Sequence, residues 1–305
     1  MDDLTRDFYE ERRRKWRRSA FWRGVFVTLG VFVLLGVLGA FLGGGPRYGD
    51  HIAHVDLQGV IYDDPILDAA LKDVEENDSA KALILTISSP GGTTVGSEAV
   101  FERLRKISEK KPVVSVLGEV AASGGYIAAI GTDHIIARGN TITGSIGVIM
   151  EYPDVTDMLT KLGITMQTIR SSDVKGGPSP FRKTSPEART AEKALIDESH
   201  DWFRGLVEER RGLSGEKLDG VADGRVFTGR LALELGLIDQ IGGFDDAKEY
   251  LDSLDSVEAE LPVDSYALEY EEGGFFGPVG KFLLENGTLE RISGQTGPRL
   301  YSIAK

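Results

Sequence analysis

The stretch Ala121-Ala122-Ser123-Gly124-Gly125-Tyr126 sets one hydroxyl among small residues, after an apolar run that reads as a buried strand and at the start of one that reads as a helix. A serine at such a junction has unpartnered backbone N–H groups beside it, and these favour an anionic intermediate. Its alanine and glycine neighbours let a substrate backbone come close. The same pattern describes a serine that caps a helix of small packing residues, which is the commoner arrangement. Upstream, Ser88-Ser89-Pro90-Gly91-Gly92 reads as the turn that ends another buried strand. Paired glycines at a strand tip expose N–H donors where α/β folds bind ligands, and such donors can stabilise a developing oxyanion. An ordinary strand-to-helix turn looks the same.

More familiar arrangements are missing. None of the four histidines, His51, His54, His134 and His200, is placed for a Ser-His pair, and His51 and His54 fall on opposite faces of one strand, a poor metal pair. No metal and no cofactor is expected. Thr143-Gly144-Ser145-Ile146-Gly147 has Thr where the G-x-S-x-G elbow needs Gly. Gly91 to Ser97 lacks the lysine of a phosphate-binding loop. With no cysteine in the chain, thiol catalysis, disulfides and Cys-ligated zinc are excluded.

These motifs need a scaffold, and from residue 51 strand-like and helix-like segments alternate. Strands are expected at His51–Leu57, Ala82–Ile87, Pro112–Leu117, His134–Ala137 and Ile146–Met150, with Ile164–Ile169 extended. Helices are expected at Asp64–Glu76, Thr94–Glu109, Ser123–Ile130, Thr156–Leu162, Gly229–Leu235 and Phe244–Leu251. The longest helix, Pro186–Arg211, opens with Pro in its first turn after Ser185. This alternation predicts an α/β fold with largely parallel strands around one core. From Asp252 the glycines crowd, and the chain reads as a peripheral tail.

The net charge of −13 is unevenly spread: residues 1–23 carry +3, so residues 24–305 carry −16. A domain that acidic repels nucleic acid. Residues 24–42, GVFVTLGVFVLLGVLGAFL, contain no charge. As a helix they would be about 28 Å long, close to the thickness of a bilayer core. Arginines and a lysine at 12–18, with Arg23, precede them, which predicts a cytoplasmic N-terminus and an exported remainder. Asn77-Asp78-Ser79 and Asn286-Gly287-Thr288 have the form of glycosylation acceptors.

Taken together, SSPGG (88–92), KKPVVSVLGEVAASGGYIAA (110–129), TITGSIGV (141–148), KLGI (161–164), Lys175 with SPFR (179–182) and ADGRVFTGRLALELGLID (222–239) resemble the signal peptide peptidase A family over residues 52–250. The resemblance implies a crotonase-like (ClpP-type) α/β domain and a serine endopeptidase. It matches Ser123 to the nucleophile and Lys175 to the general base. It matches Gly91, Gly92 and Gly124 to the oxyanion hole, and Ser145 to a hydroxyl that orients the lysine. Gly176-Gly177 follows Lys175 where family members often carry an acidic residue. A free lysine titrates near ~10.4, so a lysine base has to be kept dry and away from carboxylates; Asp173, two residues before Lys175, is the carboxylate to watch.

The expected organisation is therefore a basic cytoplasmic segment (1–23), a single transmembrane anchor (24–42), a linker (43–50), a catalytic domain (51–251) and a tail (252–305) that could touch a neighbouring subunit. The resemblance further implies a cell-membrane homo-oligomer that degrades cleaved signal peptides and short apolar peptides. Three rivals are an NfeD-type protease that cleaves stomatin-like proteins, a crotonase-like acyl-CoA enzyme and a catalytically silent scaffold. Ser123-Gly124-Gly125-Tyr126 favours the first reading over the NfeD type, whose nucleophile motif is typically SAG.

Overall fold

The computed structural model describes Trp22, residues 27–32, Leu34 and residues 49–268. Of the expected anchor at 24–42, the described residues 27–32 and 34 are helical, and the rest lies outside the described residues. No helix among the described residues is long and apolar enough to cross a membrane.

From His51 the chain forms β1 (His51–Ile61), α1 (Pro65–Glu76), β2 (Ala80–Gly92), α2 (Thr94–Ser108), β3 (Val113–Ala122), α3 (Gly124–Ile130), β4 (His134–Ala137) and β5 (Ile142–Gly144). It continues through α4 (Thr156–Lys161), α5 (Pro186–Arg211), α6 (Glu216–Val221), β6 (Val226–Thr228), α7 (Gly229–Glu234), β7 (Gln240–Ile241), α8 (Phe244–Asp252) and β8 (Val263–Ser265). The sheet order is β6-β5-β3-β2-β1-β8, with β4 and then β7 added beside β3. Every pairing is parallel except that of β5 with β6. The architecture is the expected α/β sheet.

Local chemistry explains where the elements start. The Asp64 carboxylate accepts the N–H of Ile66 at 2.9 Å, and Pro65 opens α1. The Thr93 hydroxyl accepts the N–H of Gly96 at 3.1 Å and starts α2. Ser185 caps α5 through the N–H of Ala188 at 3.1 Å, and Gly212, at φ 64°, ends it in the left-handed region.

Leu83, Ile84, Leu85 and Ile87 on β2 are all fully buried because both faces of the central sheet are covered. On one face α1, α2, α3 and α5 pack; Leu71, Leu104, Tyr126, Phe203 and Val207 belong to that core. On the other, α8 supplies Ala247 and Leu251 against Ile84, Val114 and Ile136. Each of the larger aliphatic side chains and Phe203 contributes roughly 1.5–3 kcal/mol by leaving water. α3 is buried throughout, and the Tyr126 hydroxyl donates to the carbonyl of Leu237 at 2.8 Å, so no phenol is left unpaired in the interior.

Three expectations change. Ser88–Gly92 is not a turn. β2 runs on through Gly92, because a register shift between Gln58 and Val60 lets Val60 and Ile61 of β1 pair with Gly91 and Gly92. Ile146–Met150 is not a strand. The sheet is extended instead by Ile142–Gly144, beside Val120–Ala122 of β3, and Ser145 at φ 52° then turns the chain away. Ile164–Ile169 is irregular and exposed.

The first part of the stretch read as a tail packs on the domain. Val257 and Leu261 are buried, β8 pairs with β1, and Tyr266 donates its N–H to the carbonyl of His54 at 2.8 Å. Residues 269–305 lie outside the described residues, as does the acceptor Asn286. Asn77 is engaged: its amide donates to the Tyr266 hydroxyl at 2.9 Å and its side-chain oxygen accepts the N–H of Ser79 at 3.0 Å.

Candidate active site

β3 passes between β2 and β5 and ends at Ala122, and α3 begins at Gly124. Ser123 stands alone between them with φ 53° and ψ −119°, a conformation that glycine adopts and L residues avoid. Strain of this kind costs about 1–3 kcal/mol and survives only when neighbours enforce it. Here the Ser123 N–H donates to the carbonyl of Gly144 at 2.8 Å, while its own carbonyl accepts the N–H groups of Tyr126 and Ile127, each at 2.9 Å. The result is a strand–serine–helix elbow that holds the side chain at the C-terminal edge of the sheet. Its hydroxyl serves as no cap for α3, so the capping alternative does not describe this serine.

The glycine loop meets the elbow directly. Gly91 has φ 123°, and a Cβ on it would stand 2.9 Å from Cβ and 3.2 Å from Oγ of Ser123. A Cβ on Gly124 would fall 2.2 Å from Oγ of Ser97 and 3.0 Å from the backbone nitrogen of Gly92. The fold therefore brings Ser123, Gly91, Gly92 and Gly124 into one cluster. As the first residue of α3, Gly124 has an N–H with no acceptor inside the helix. The N–H of Gly91 is engaged elsewhere, donating to Oγ of Ser89 at 3.1 Å. Among the three glycines, Gly91 makes the close approach to Ser123 and has its N–H engaged.

Ser145 lies one residue beyond the carbonyl that holds Ser123. It is half-buried, and its N–H donates to the carbonyl of Arg225 at 2.8 Å. Lys175 is placed differently. It lies exposed in the long connection between α4 and α5, its N–H directed to the carbonyl of Ser172 at 3.2 Å. Its Nζ makes no hydrogen bond or ion pair among the described residues, and within one chain it is not hydrogen-bonded to Ser123 or Ser145. Asp173 is not its partner: that carboxylate lies 3.8 Å from the Arg170 guanidinium, which also bonds the Asp173 carbonyl at 3.0 Å. Apolar side chains in and beside this connection are exposed. α4 has no buried residue, and Ile149, Met158, Leu162, Ile164, Ile169 and Phe181 face solvent.

Two buried serines are not among the expected site residues. The Ser89 hydroxyl accepts the N–H of Gly91 and donates to the carbonyl of Gly91, and Ser97 fills the space against Gly124 while its hydroxyl donates to the carbonyl of Thr93 at 2.9 Å. A serine two residues before a glycine N–H is a readable local motif, in which the side chain binds the backbone just ahead. The histidines are structural: Nε2 of His51 bonds the Tyr266 hydroxyl, Nε2 of His54 bonds the Thr86 hydroxyl at 2.9 Å, and His134 stacks on Tyr250.

A strained serine at a strand-to-helix elbow, under a glycine loop on a parallel sheet, defines a hydrolase-like site. Peptidase family S49 matches residues 105–258. The protease slr0021 of Synechocystis sp. is 43% identical over 195 residues, covering 63% of this chain and 70% of that protein. A protein of Enterococcus faecium named as the signal peptide peptidase SppA is 34% identical over 203 residues, covering 66% of this chain and 57% of that one. Among solved structures, a mutant of the 1510-N membrane-bound stomatin-specific protease is 16% identical, covers 72% of this chain and 98% of its own, and gives a TM-score of 0.47, too slight a likeness to argue from. The chain belongs to peptidase family S49, as a member of the signal peptide peptidase A type. It is a protease by family.

Proposed function

We propose that the chain is a serine endopeptidase in which Ser123 is the nucleophile and Lys175 the general base. The observation that carries this reading is the placement of Oγ of Ser123, on a strained elbow, against Gly91 and beside Gly124. In the reaction, Oγ attacks the peptide carbonyl carbon as neutral Nζ of Lys175 takes its proton. The oxyanion accepts the N–H groups of Gly92 and Gly124. The tetrahedral intermediate then collapses, Nζ returns the proton to the leaving amine, and a water hydrolyses the acyl-enzyme by the same route. The Ser145 hydroxyl accepts from Nζ and orients it.

A lysine in water cannot act as a base at neutral pH, so the exposed connection around Lys175 has to be covered. The apolar side chains along it favour a second copy of the chain as the cover, which makes the active form a homo-oligomer. Substrates are extended apolar peptides, above all signal peptides left in the membrane. Residues 24–42 anchor the enzyme there, with the N-terminus cytoplasmic and the catalytic domain outside. The name of the Enterococcus relative supports that substrate class.

The test is labelling of the full-length chain with a serine-reactive phosphonate, beside the Lys175→Met variant. Labelling confined to Ser123 and lost with Lys175 is expected. Labelling that survives the loss of Lys175 assigns the base to another group, and none at Ser123 ends the reading.

A further inference from the structure

The direction of the Gly91–Gly92 peptide decides what the site can stabilise, and beside the pairing of Gly91 with Val60 of β1 one side chain bonds it. Ser89 is fully buried on β2, in register with Ala121 of β3. Its Oγ accepts the N–H of Gly91 at 3.1 Å and donates to the carbonyl of Gly91 at 3.2 Å. One hydroxyl has one proton and two lone pairs, so both bonds can exist together. Pro90, between them, has no N–H to compete.

A peptide unit is planar and trans, so the N–H of Gly92 points opposite to the carbonyl of Gly91. With that carbonyl drawn to Ser89, the N–H of Gly92 is turned the other way. Its nitrogen lies 3.0 Å from where a Cβ on Gly124 would stand, beside the nucleophile. Ser89 itself is wedged under the first turn of α3. A Cβ on Gly125 would come 2.8 Å from the Ser89 carbonyl oxygen and 3.3 Å from its Cβ.

The geometry points to Ser89 as a positioning residue: together with the β1 pairing, its hydroxyl holds the peptide that presents Gly92 as an oxyanion donor, and it engages the N–H of Gly91. This assignment rests on the peptidase reading above. It predicts an effect on the transition state and none on substrate affinity.

The test compares Ser89→Ala and Ser89→Cys with wild type, all as full chains. Amide hydrogen exchange resolved at Gly91 needs no catalysis. It should be at least about 10-fold faster in Ser89→Ala and intermediate in Ser89→Cys, with residues 124–130 unchanged. With an apolar peptide substrate, kcat should fall about 10- to 100-fold while KM stays within about twofold. A peptide aldehyde, which forms an oxyanion on Ser123, should lose affinity in the same proportion, and the cleaved product peptide should not. Unchanged exchange at Gly91, or aldehyde and product weakening alike, overturns the assignment. A wild-type chain whose Ser123 takes no phosphonate sinks the peptidase reading and the donor role together, and Gly91 exchange then decides separately whether Ser89 holds the loop.

Discussion

The N–H of Ser123 donates to the carbonyl of Gly144 at 2.8 Å, and the next residue after that carbonyl is Ser145. One hydrogen bond thus ties the nucleophile to the strand that delivers the hydroxyl expected to orient the base. Because β5 is only three residues long, its hold on the elbow depends on pairing with β3 and with the antiparallel β6.

The backbone of Ser123 gives a first prediction. Glycine accepts φ 53° freely, so Ser123→Gly should remove the strain, less the extra entropy glycine brings to the unfolded chain. A net gain of about 1 kcal/mol, or roughly 2–4 °C in melting temperature, is expected, together with complete loss of phosphonate labelling. Calorimetry that shows a lower melting temperature would refute a strained elbow.

Gly91→Ala should do the reverse. Its Cβ would press on Ser123, at a φ that alanine avoids. Peptide turnover should drop at least about 100-fold, with a smaller fall in stability, and kcat/KM beside a denaturant titration separates the two effects.

The exposed connection makes the third. Ile169 and Phe181 face solvent in the single chain, so Ile169→Asp and Phe181→Asp should change its stability by no more than about 0.5 kcal/mol. If a second copy covers them, both variants should sediment as smaller species and label more slowly at Ser123. Unaltered sedimentation with full labelling would remove the oligomer from the mechanism.

Stability should depend on pH through His54. Burial holds its imidazole below the usual value of 6.5, with Asp56 opposing in part. The unfolded chain therefore binds the proton more readily than the folded one. The stability from the neutral ring is complete above pH ~6.5 and declines as the pH falls from there towards the lowered folded value. Urea titrations at pH 7.5 and pH 5.5 should show this decline in wild type and a shallower one in His54→Gln.

Tyr126→Phe should cost about 1–2 kcal/mol, since it leaves the buried carbonyl of Leu237 without its donor. The melting temperature reads that loss, and labelling at Ser123 should persist.

Much of this fold is legible in the residue pattern. The capped helices at Pro65, Thr94 and Pro186 announce themselves through Asp64, Thr93 and Ser185, and the buried run at 82–87 through its unbroken apolar character. Short elements are another matter. β5, β6, β7 and β8 have two or three residues each, too few for a periodicity, and are defined by partners far away in the chain. Of the site, the Ser123 and Gly91–Gly92 motifs could be read because glycine and serine there answer to local geometry. The continuation of β2 through Gly92 could not, since it depends on a register shift in β1. Nor could the setting of Lys175: Ile164, Ile169 and Phe181 on the same connection face outward in the single chain, and apolar content alone predicts burial.

The register shift between Gln58 and Val60 has a mechanical result. By letting β1 run alongside Gly91 and Gly92, it makes the glycine segment beside Ser123 a piece of the sheet, held by ladder bonds like the strands behind it. Dipoles set in such a segment need not reorganise when charge develops. On the proposed reading, adaptability is left to the arm that carries Lys175, and a single chain already holds half of the machinery assembled.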